Sequence, residues 1–380
     1  MVNLLTKITF LCVIGVAIFM GFSTTSTAGS DGIRQVWNVK TGHPVNLPPV
    51  VSGNAILLSP DGKFLLALNA TDGSELWKFT PSTKIWERSI GADKQRAYVC
   101  TKGGKITALD VFNGSRIWET ALGIDCQRQP HISGGKLYIS TTLVGPGLSS
   151  EVLSGAKFFS LDPETGKINW EFTTENYLLQ TASSANGTVY VGGSYHDAAK
   201  DVDEGGFARF YALDGASGKM KWTHESEDGL PKALYANKER LIYIAYQDFL
   251  VGLDTANGSP VWRNDTGNWV QSINGVDDVV YFGSANTNVH AWDTLTGKER
   301  WTFNIQGGSF NYMLGKPLLD GDAVYFISQK GTIFALNSKT GKELWSQDTN
   351  LSSRVGLSVG NRMIFIGDAK GNIYAYRILK

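Results

Sequence analysis

The sequence is short of several residue types, and each shortage excludes a class of protein. Only three cysteines occur in 380 residues, too few for a fold held mainly by disulfides. The five histidines lie far apart, without the spacing of metal ligands. Basic and acidic residues number 35 each, so the chain has no overall positive field that would attract nucleic acid. Neither a Gly-x-Ser-x-Gly elbow nor a Walker-type phosphate loop is present.

Long hydrophobic runs are also scarce, and the one that exists is N-terminal. Residues 8–22 are almost purely apolar, but such a run is shorter than the roughly 20 residues that span a bilayer. Ser26 and Ala28 have the small side chains of a signal cleavage site. We expect residues 1–28 to be a signal peptide and residues 29–380 to form one exported, monomeric domain, periplasmic or extracellular. An uncleaved membrane anchor is the alternative.

Glycine and tryptophan, by contrast, are abundant, with 43 and 11 residues, because the chain repeats a motif. Seven copies of small-x-(Asp/Asn)-x-x-x-Gly-x-x-x-Trp follow one another at a spacing of roughly 40 residues, stretched to about 52 in two copies. The Asp or Asn opens a turn, the Gly closes a hairpin, and the Trp packs from the returning strand. The repeat tryptophans are Trp77, Trp118, Trp170, Trp222, Trp262, Trp301 and Trp345.

Each repeat contains four short strands, which is typical of a propeller blade. The last copy stops after its third strand, and the segment around Trp37 supplies an outer strand without a hairpin before it. Trp37 precedes Trp77 by 40 residues, so it lies on the period. The sequence therefore predicts an all-β, eight-bladed propeller with four antiparallel strands per blade. The N-terminal strand would complete the C-terminal blade and close the ring.

The motif and the blade count resemble those of the PQQ-type repeat propellers over nearly all of residues 32–380. That family includes quinoprotein dehydrogenases and the scaffold proteins of the BamB type, which are similar in size to this chain. The resemblance implies that the repeat tryptophans dock between neighbouring blades and hold no cofactor. Quinoprotein dehydrogenases are longer and often carry adjacent cysteines or a Cys-x-x-Cys-His haem site, which this sequence lacks. We therefore predict no cofactor, with PQQ and Ca²⁺ as the alternative.

Candidate binding residues cluster where the innermost strands begin, at the mouth of the central channel. Cations, amides and aromatic residues recur there, and such a mouth would suit an anionic planar ligand or an acidic peptide. Ordinary polar strand starts would give the same pattern. Trp86 and Trp269 alone would suggest a sugar site. The residues are Trp86, Arg88, Arg128, Tyr177, Gln180, Lys232, Trp269, Gln271, Tyr312 and Arg354, with Lys316 nearby.

The two stretched repeats carry insertions between their second and third strands, at roughly residues 142–157 and 194–208. These loops belong to the same face as the channel mouth and follow one another in consecutive blades, so they are candidates for partner binding. Asp201, Asp203 and Glu204 have the hard oxygens that suit Ca²⁺, but they do not match the twelve-residue calcium-loop pattern, so a solvated acidic loop is the favoured explanation. The prediction is a non-catalytic scaffold that binds a protein or peptide through this face. The alternative is a quinoprotein-like oxidoreductase with an anionic cofactor at the channel mouth.

Two cysteines remain after the signal, Cys100 and Cys126. Cys100 ends the second strand of one blade, and Cys126 precedes the innermost strand of the next. Both should lie on the same face, and an exported compartment permits a disulfide between them. Two separate thiols, with Cys100 packed as a small apolar group, are the alternative.

Overall fold

A computed structural model describes residues 32–141, 156–174, 177–179, 182–195, 208–227, 233–245, 248–308, 311–351 and 355–379. Within these ranges it contains 33 strands, β1–β33, and two single-turn 3₁₀ helices, at Pro60–Gly62 and Glu87–Ser89. The predicted signal, residues 1–28, lies outside the described residues.

The strands form eight separate antiparallel sheets, each of which is one blade. The innermost strands are β2 (Val50–Ser52), β6 (Gly91–Ala92), β10 (His131–Ser133), β15 (Ser183–Ala185), β19 (Leu234–Ala236), β23 (Val270–Val276), β27 (Met313–Asp320) and β31 (Ser358–Gly360). The second strands are β3 (Ala55–Leu58), β7 (Arg96–Thr101), β11 (Lys136–Ser140), β16 (Thr188–Tyr195), β20 (Arg240–Ala245), β24 (Val279–Ser284), β28 (Ala323–Ser328) and β32 (Met363–Gly367).

The third and fourth strands complete each blade toward the rim. The third strands are β4 (Leu65–Asn69), β8 (Lys105–Asp110), β12 (Lys157–Leu161), β17 (Ala208–Asp214), β21 (Phe249–Asp254), β25 (Asn288–Asp293), β29 (Thr332–Asn337) and β33 (Asn372–Ile378). The outer strands are β5 (Glu75–Phe79), β9 (Arg116–Ala121), β13 (Ile168–Thr173), β18 (Met220–Ser226), β22 (Pro260–Asp265), β26 (Glu299–Asn304), β30 (Glu343–Asp348) and β1 (Ile33–Lys40).

Ring closure follows the prediction. Strand β1 pairs with β33 in antiparallel register, from Ile33 opposite Ile378 to Lys40 opposite Asn372. The eighth blade thus has the order β31–β32–β33–β1 and joins the two ends of the chain. Neighbouring innermost strands contact each other around the central channel, as β31 does with β2 and β2 with β6. The eight-bladed propeller is confirmed.

Burial explains why each sheet has its strands in this order. The second and third strands pack on both faces against neighbouring blades, so their centres are fully buried, as in the four central residues of β8. Outer strands alternate between exposed and buried residues, because one face meets solvent. Six of the eight outer strands bury their tryptophan, as β13 does with Trp170, whereas Trp262 on β22 and Trp345 on β30 are partly buried.

The repeat tryptophan fixes the contact between successive blades. The Nε1–H of Trp118 donates to the carbonyl of Pro163 in the next blade at 3.0 Å, and its ring covers Gly166. Gly166 has φ +70°, and a Cβ there would lie 2.5 Å from the ring, so both turn and packing require glycine. The other donors and acceptors are Trp37 to Ala70, Trp77 to Val111, Trp170 to Gly215, Trp222 to Thr255, Trp262 to Thr294 and Trp301 to Ser338, at 2.9–3.2 Å.

The acidic position of the repeat closes the turn locally. Asp162 accepts hydrogen bonds from the backbone N–H groups of Glu164 at 3.0 Å and Thr165 at 2.8 Å. These two bonds, together with one from the Thr165 hydroxyl, hold the pKa of the Asp162 carboxyl below its usual value.

At the ring closure Trp345 packs on Gly32, where a Cβ would lie 2.5 Å from the indole ring.

The fourth blade departs from the predicted four strands. Its second strand, β16, is eight residues long and pairs with β15 through its first half. Its second half pairs with an additional strand, β14 (Tyr177–Leu179), which makes this sheet five-stranded. The extension carries β16 further toward the second insertion.

The blades leave two chemically different faces. The turn face carries the hairpins from first to second and from third to fourth strands, including every Asp–Gly turn of the repeat. The loop face carries the connections from each outer strand to the next blade and the turns from second to third strands. Strands β11 and β16 end on the loop face at Ser140 and Tyr195, so both insertions start there. The insertions themselves fall outside the described residues.

Candidate functional site

An open cavity of about 510 Å³ lies on the loop face, where the connections into blades 1, 2 and 3 meet. We call it the cation cleft. Its chemically distinctive lining consists of Lys84, Trp86, Glu87, Arg88, Lys102 and Arg128. Three residues predicted from sequence, Trp86, Arg88 and Arg128, therefore lie along one cavity.

Backbone hydrogen bonds hold the Trp86 segment against the end of β7. The Trp86 N–H donates to the carbonyl of Cys100 at 2.9 Å, and the Lys102 N–H donates to that of Lys84 at 2.8 Å. Ser89, buried beneath the 3₁₀ turn, donates its hydroxyl to the Trp86 carbonyl at 2.6 Å and accepts from the Cys100 N–H at 3.0 Å. The segment is therefore fixed by hydrogen bonds to the buried strand β7.

A disulfide anchors the other wall of the cleft. Cys100 and Cys126 are joined, with their Cα atoms 5.8 Å apart, and both are fully buried. Because Cys126 lies two residues before Arg128, the crosslink ties the connection that carries Arg128 to the strand that supports Trp86. Blades 2 and 3 are thus covalently joined beneath the cleft.

The cations of the cleft have no acidic partner among the residues that the structure describes. In the described chain, the side chains of Lys84, Arg88, Lys102 and Arg128 form no hydrogen bond or ion pair; the Lys102 ammonium lies 5.0 Å from the centre of the Trp86 ring. Burial and the neighbouring Arg88 charge both lower the pKa of the Arg128 guanidinium. The nearby carboxylate of Asp125 accepts from the Gly103 N–H at 2.8 Å.

Two hydrogen-bond donors in the cleft wall are buried without an acceptor. They are the Nε1–H of Trp86 and the Nε–H of Arg128. A buried donor without an acceptor costs about 1–3 kcal/mol, so native proteins retain few of them. Both belong to residues that line the same cavity.

The remaining predicted residues do not join this group. Trp269 and Gln271 lie in blade 6 and Tyr312 precedes the innermost strand of blade 7, across the ring from blades 2 and 3. Trp269 is 42% exposed. Tyr177 begins β14, and its side chain is not described. Outside the described residues lie Gln180, Lys232, Arg354, Asp201, Asp203 and Glu204.

Sequence reasoning missed Lys84, Glu87 and Lys102. A usable signal existed for Lys102, because it directly follows the second strand of blade 2 and such turns share the loop face. Lys84 lies two residues before Trp86, outside the positions counted back from the innermost strand.

A second polar group lies on the innermost strands. His131 on β10 contacts the Ser184 hydroxyl through Nε2 at 2.8 Å, joining blades 3 and 4. Burial and the positive charge of Lys316 lower the pKa of His131 to about 4. Lys316 lies on β27, in the register shift between Leu314 and Leu318. At neutral pH His131 is therefore an uncharged packing and hydrogen-bonding residue.

The described part of the chain contains no group of three or more His, Cys, Asp or Glu side chains placed to bind a metal ion. No helix in that part has the length and hydropathy needed to cross a membrane.

A family model described as outer membrane protein assembly factor BamB matches residues 26–141, 65–206 and 159–378. The chain belongs to this family of PQQ-type repeat propellers. BamB of Moranella endobia is 25% identical over 306 residues, which cover 73% of this chain and 71% of the relative. The solved structure of BamB from Moraxella catarrhalis has a TM-score of 0.60 at 21% identity, covering 91% of this chain and 97% of its own, and shows the shared fold.

In sequence, a quinoprotein matches a smaller part of this chain, although the solved structure of the same dehydrogenase covers 91% of it with a TM-score of 0.63 at 14% identity and shares the fold. The quinohemoprotein alcohol dehydrogenase ADH-IIG of Pseudomonas putida is 24% identical over 156 residues, which are 38% of this chain but only 22% of the dehydrogenase. The chain thus spans less than a quarter of that relative, whereas it spans most of the BamB relative.

Proposed function

We propose that this protein is an exported, non-catalytic scaffold that binds a protein partner through its loop face. In this proposal residues 1–28 are removed and residues 29–380 act as one domain in the periplasm or outside the cell. The observation that carries the proposal is the cation cleft, an open cavity on the loop face whose donors and charges have no partner within the described chain. Membership of the BamB family, whose name describes an outer membrane assembly factor, supports a role in binding other proteins.

The architecture suits this role because the binding elements and the stabilising elements are separate. The turn face holds the Asp, Gly and Trp positions of the repeat, whereas the loop face carries connections that differ between blades. Long loops on a rigid framework are where binding sites concentrate. Both insertions start on the loop face, after β11 in blade 3 and β16 in blade 4, and the first belongs to a blade that borders the cleft.

Co-purification from the native host tests the proposal. We expect a tagged chain to retain its partner, and expect Trp86→Ala to lose it, as should shortening residues 142–155 together with 196–207. Phe112→Ala is the matched control, because Phe112 is a large side chain, 69% exposed, on the turn face of blade 2. Retention of the partner by both loop-face variants, or its loss in the Phe112 variant, would reject binding through the loop face.

The alternative of a quinoprotein-like redox protein fits the described residues poorly. The cleft has cations and a tryptophan beside a disulfide, but Glu87 is the one carboxylate in its lining. Titration of PQQ with Ca²⁺, followed by absorbance and melting temperature, provides the test. Saturable binding at micromolar concentration would favour the redox role over the scaffold.

A further inference from the structure

We propose that the cation cleft is a carboxylate-binding site that takes an acidic segment of a protein partner. An acidic side chain of that segment is held between Arg88 and Arg128, and an apolar neighbour packs on Trp86. This inference rests on the proposed scaffold function and names the chemistry of the partner.

The charge of the lining points to an anion. Four cations and the single carboxylate of Glu87 give the cleft a net charge of +3, on a chain whose total formal charge is +0. Several basic side chains elsewhere on the surface pair with acidic ones, as Lys105 does with Glu119 at 2.9 Å. In the cleft, by contrast, Arg88 and Arg128 repel each other without a carboxylate between them. A bound carboxylate would supply the missing counter-charge.

The positions of the donors are set before any ligand arrives. Trp86 is held through its backbone by Cys100, and the Cys100–Cys126 disulfide fixes the connection that carries Arg128. Such preorganisation lowers the entropy lost on binding. The buried Trp86 Nε1–H and Arg128 Nε–H have no acceptor within the described chain, and a ligand or bridging water that reached them would supply one.

The lining favours carboxylates on a peptide over a polyphosphate. Arginine matches the planar carboxylate with two parallel hydrogen bonds. Glu87 lies in the same lining and would repel the concentrated charge of a polyphosphate, while it could accept hydrogen bonds from the N–H groups of a peptide backbone. The half-buried ring of Trp86, beside Leu47 and Ile85, offers an apolar surface to an intervening side chain.

The exposed cations of the cleft have a different task from Arg128. Lys84, Arg88 and Lys102 are exposed on the cleft, whereas Arg128 is partly buried. Exposed charges at the edge of an interface mainly raise the association rate and its salt dependence, whereas recessed charge pairs control dissociation. We therefore assign initial attraction of the acidic segment to the exposed cations, which include Arg88, and its retention mainly to Arg128.

The test uses the full chain and three probes: a labelled peptide that alternates glutamate and leucine, the same peptide with glutamine for glutamate, and inorganic tripolyphosphate. Fluorescence anisotropy and competition give the affinities. We expect the glutamate peptide to bind at least about tenfold more tightly than the glutamine peptide, since a hydrogen bond to a charged group commonly contributes this much. Tripolyphosphate should compete more weakly than the glutamate peptide.

Variants identify the residues. Arg128→Gln should weaken binding of the glutamate peptide at least about tenfold, with partial recovery in Arg128→Lys, because lysine restores charge but not the planar fork. Lys102→Gln should mainly slow association and flatten its salt dependence. The control is Lys94→Gln, which removes a charge from the turn face of the same blade and should change nothing. Equal melting temperatures show that each variant is folded.

Three results would overturn the carboxylate assignment: equal affinity for both peptides, an Arg128→Gln variant with unchanged affinity, or tighter binding of tripolyphosphate than of the glutamate peptide. They would leave the scaffold function standing if Trp86→Ala still releases the co-purified partner. If the peptide binds as expected but no loop-face variant releases a partner, the cleft chemistry holds and the scaffold function fails.

Discussion

Replacing Gly218 with alanine tests whether the repeat glycine is required by its turn alone or also by the tryptophan of the preceding blade. Gly218 has φ +71°, and a Cβ there would lie 2.5 Å from the Trp170 ring. Gly187, in the same blade and on the same turn face, has φ +70° with nothing within 4 Å of an added Cβ. The two sites therefore share backbone strain and differ in packing.

The two substitutions should cost different amounts. A non-glycine residue in the left-handed region costs roughly 1–2 kcal/mol, so Gly187→Ala should lower the free energy of unfolding by that amount. Gly218→Ala adds an overlap with a ring that is only 9% exposed and bonded through Nε1 to the Gly215 carbonyl. Overpacking of this kind costs about 1–3 kcal/mol more, for a total of roughly 2–5 kcal/mol.

Urea unfolding followed by far-ultraviolet circular dichroism measures both losses. Trp170→Leu completes a double-mutant cycle because it removes the indole ring. In that background, Gly218→Ala should lower the free energy of unfolding no more than Gly187→Ala does in the parent chain. Equal losses for the two single glycine variants would refute the packing argument. So would a Gly218→Ala cost that is unchanged when Trp170 is removed.

Three further predictions concern the crosslink, the channel and the ring closure. Replacing Cys100 and Cys126 with serine should cost about 3–4 kcal/mol, the loop entropy expected for a separation of 26 residues, and should weaken binding of the acidic peptide; unchanged urea midpoints would contradict this. Because the pKa of His131 lies near 4 in the fold and near 6.5 when unfolded, its stabilising effect is complete above 6.5 and is lost as pH falls toward 4. Relative to His131→Asn, the parent should lose up to about 2 kcal/mol between about pH 7 and about pH 5, and parallel pH profiles of the two proteins would argue against it. Deleting residues 33–40 should leave β33 as an open edge and cause association visible by size-exclusion chromatography, whereas a monodisperse truncated protein would rule out the closing role of β1.

The fold was predictable because one motif encodes the same contacts many times. The Asp, Gly and Trp positions each satisfy a local requirement, namely a turn, a positive φ and a ring packed on the next blade. Even the closure could be read from the spacing of Trp37. The additional strand β14 was not predictable, since it exists only because β16 is longer than the second strands of other blades. No part of the repeat motif specifies that length.

The site was predictable only in part. Counting back from the innermost strands placed Trp86, Arg88 and Arg128 near the channel mouth on one face, but gave no reason why these three should meet while Trp269 lies across the ring. What brings them together is the sharing of one boundary by blades 2 and 3, under which the Cys100–Cys126 disulfide lies. Sequence spacing alone did not decide whether the two cysteines form a disulfide. It also did not predict that Lys84 and Lys102 line the cleft, because their positions depend on the conformation of two turns.

The contrast between the two faces explains how one framework can acquire different partners. On the turn face, a change at a repeat glycine meets a tryptophan at 2.5–2.7 Å in every one of the seven hairpins, so variation there lowers stability. On the loop face, Trp86 is held through backbone atoms and Ser89, and its side chain packs only partly into the core. Exchanging the exposed side chains of the cleft, such as Lys84 or Lys102, alters its charge without disturbing the contacts between blades. Loop-face variants that change peptide preference should therefore leave the urea midpoint nearly unchanged, the reverse of what the glycine variants do.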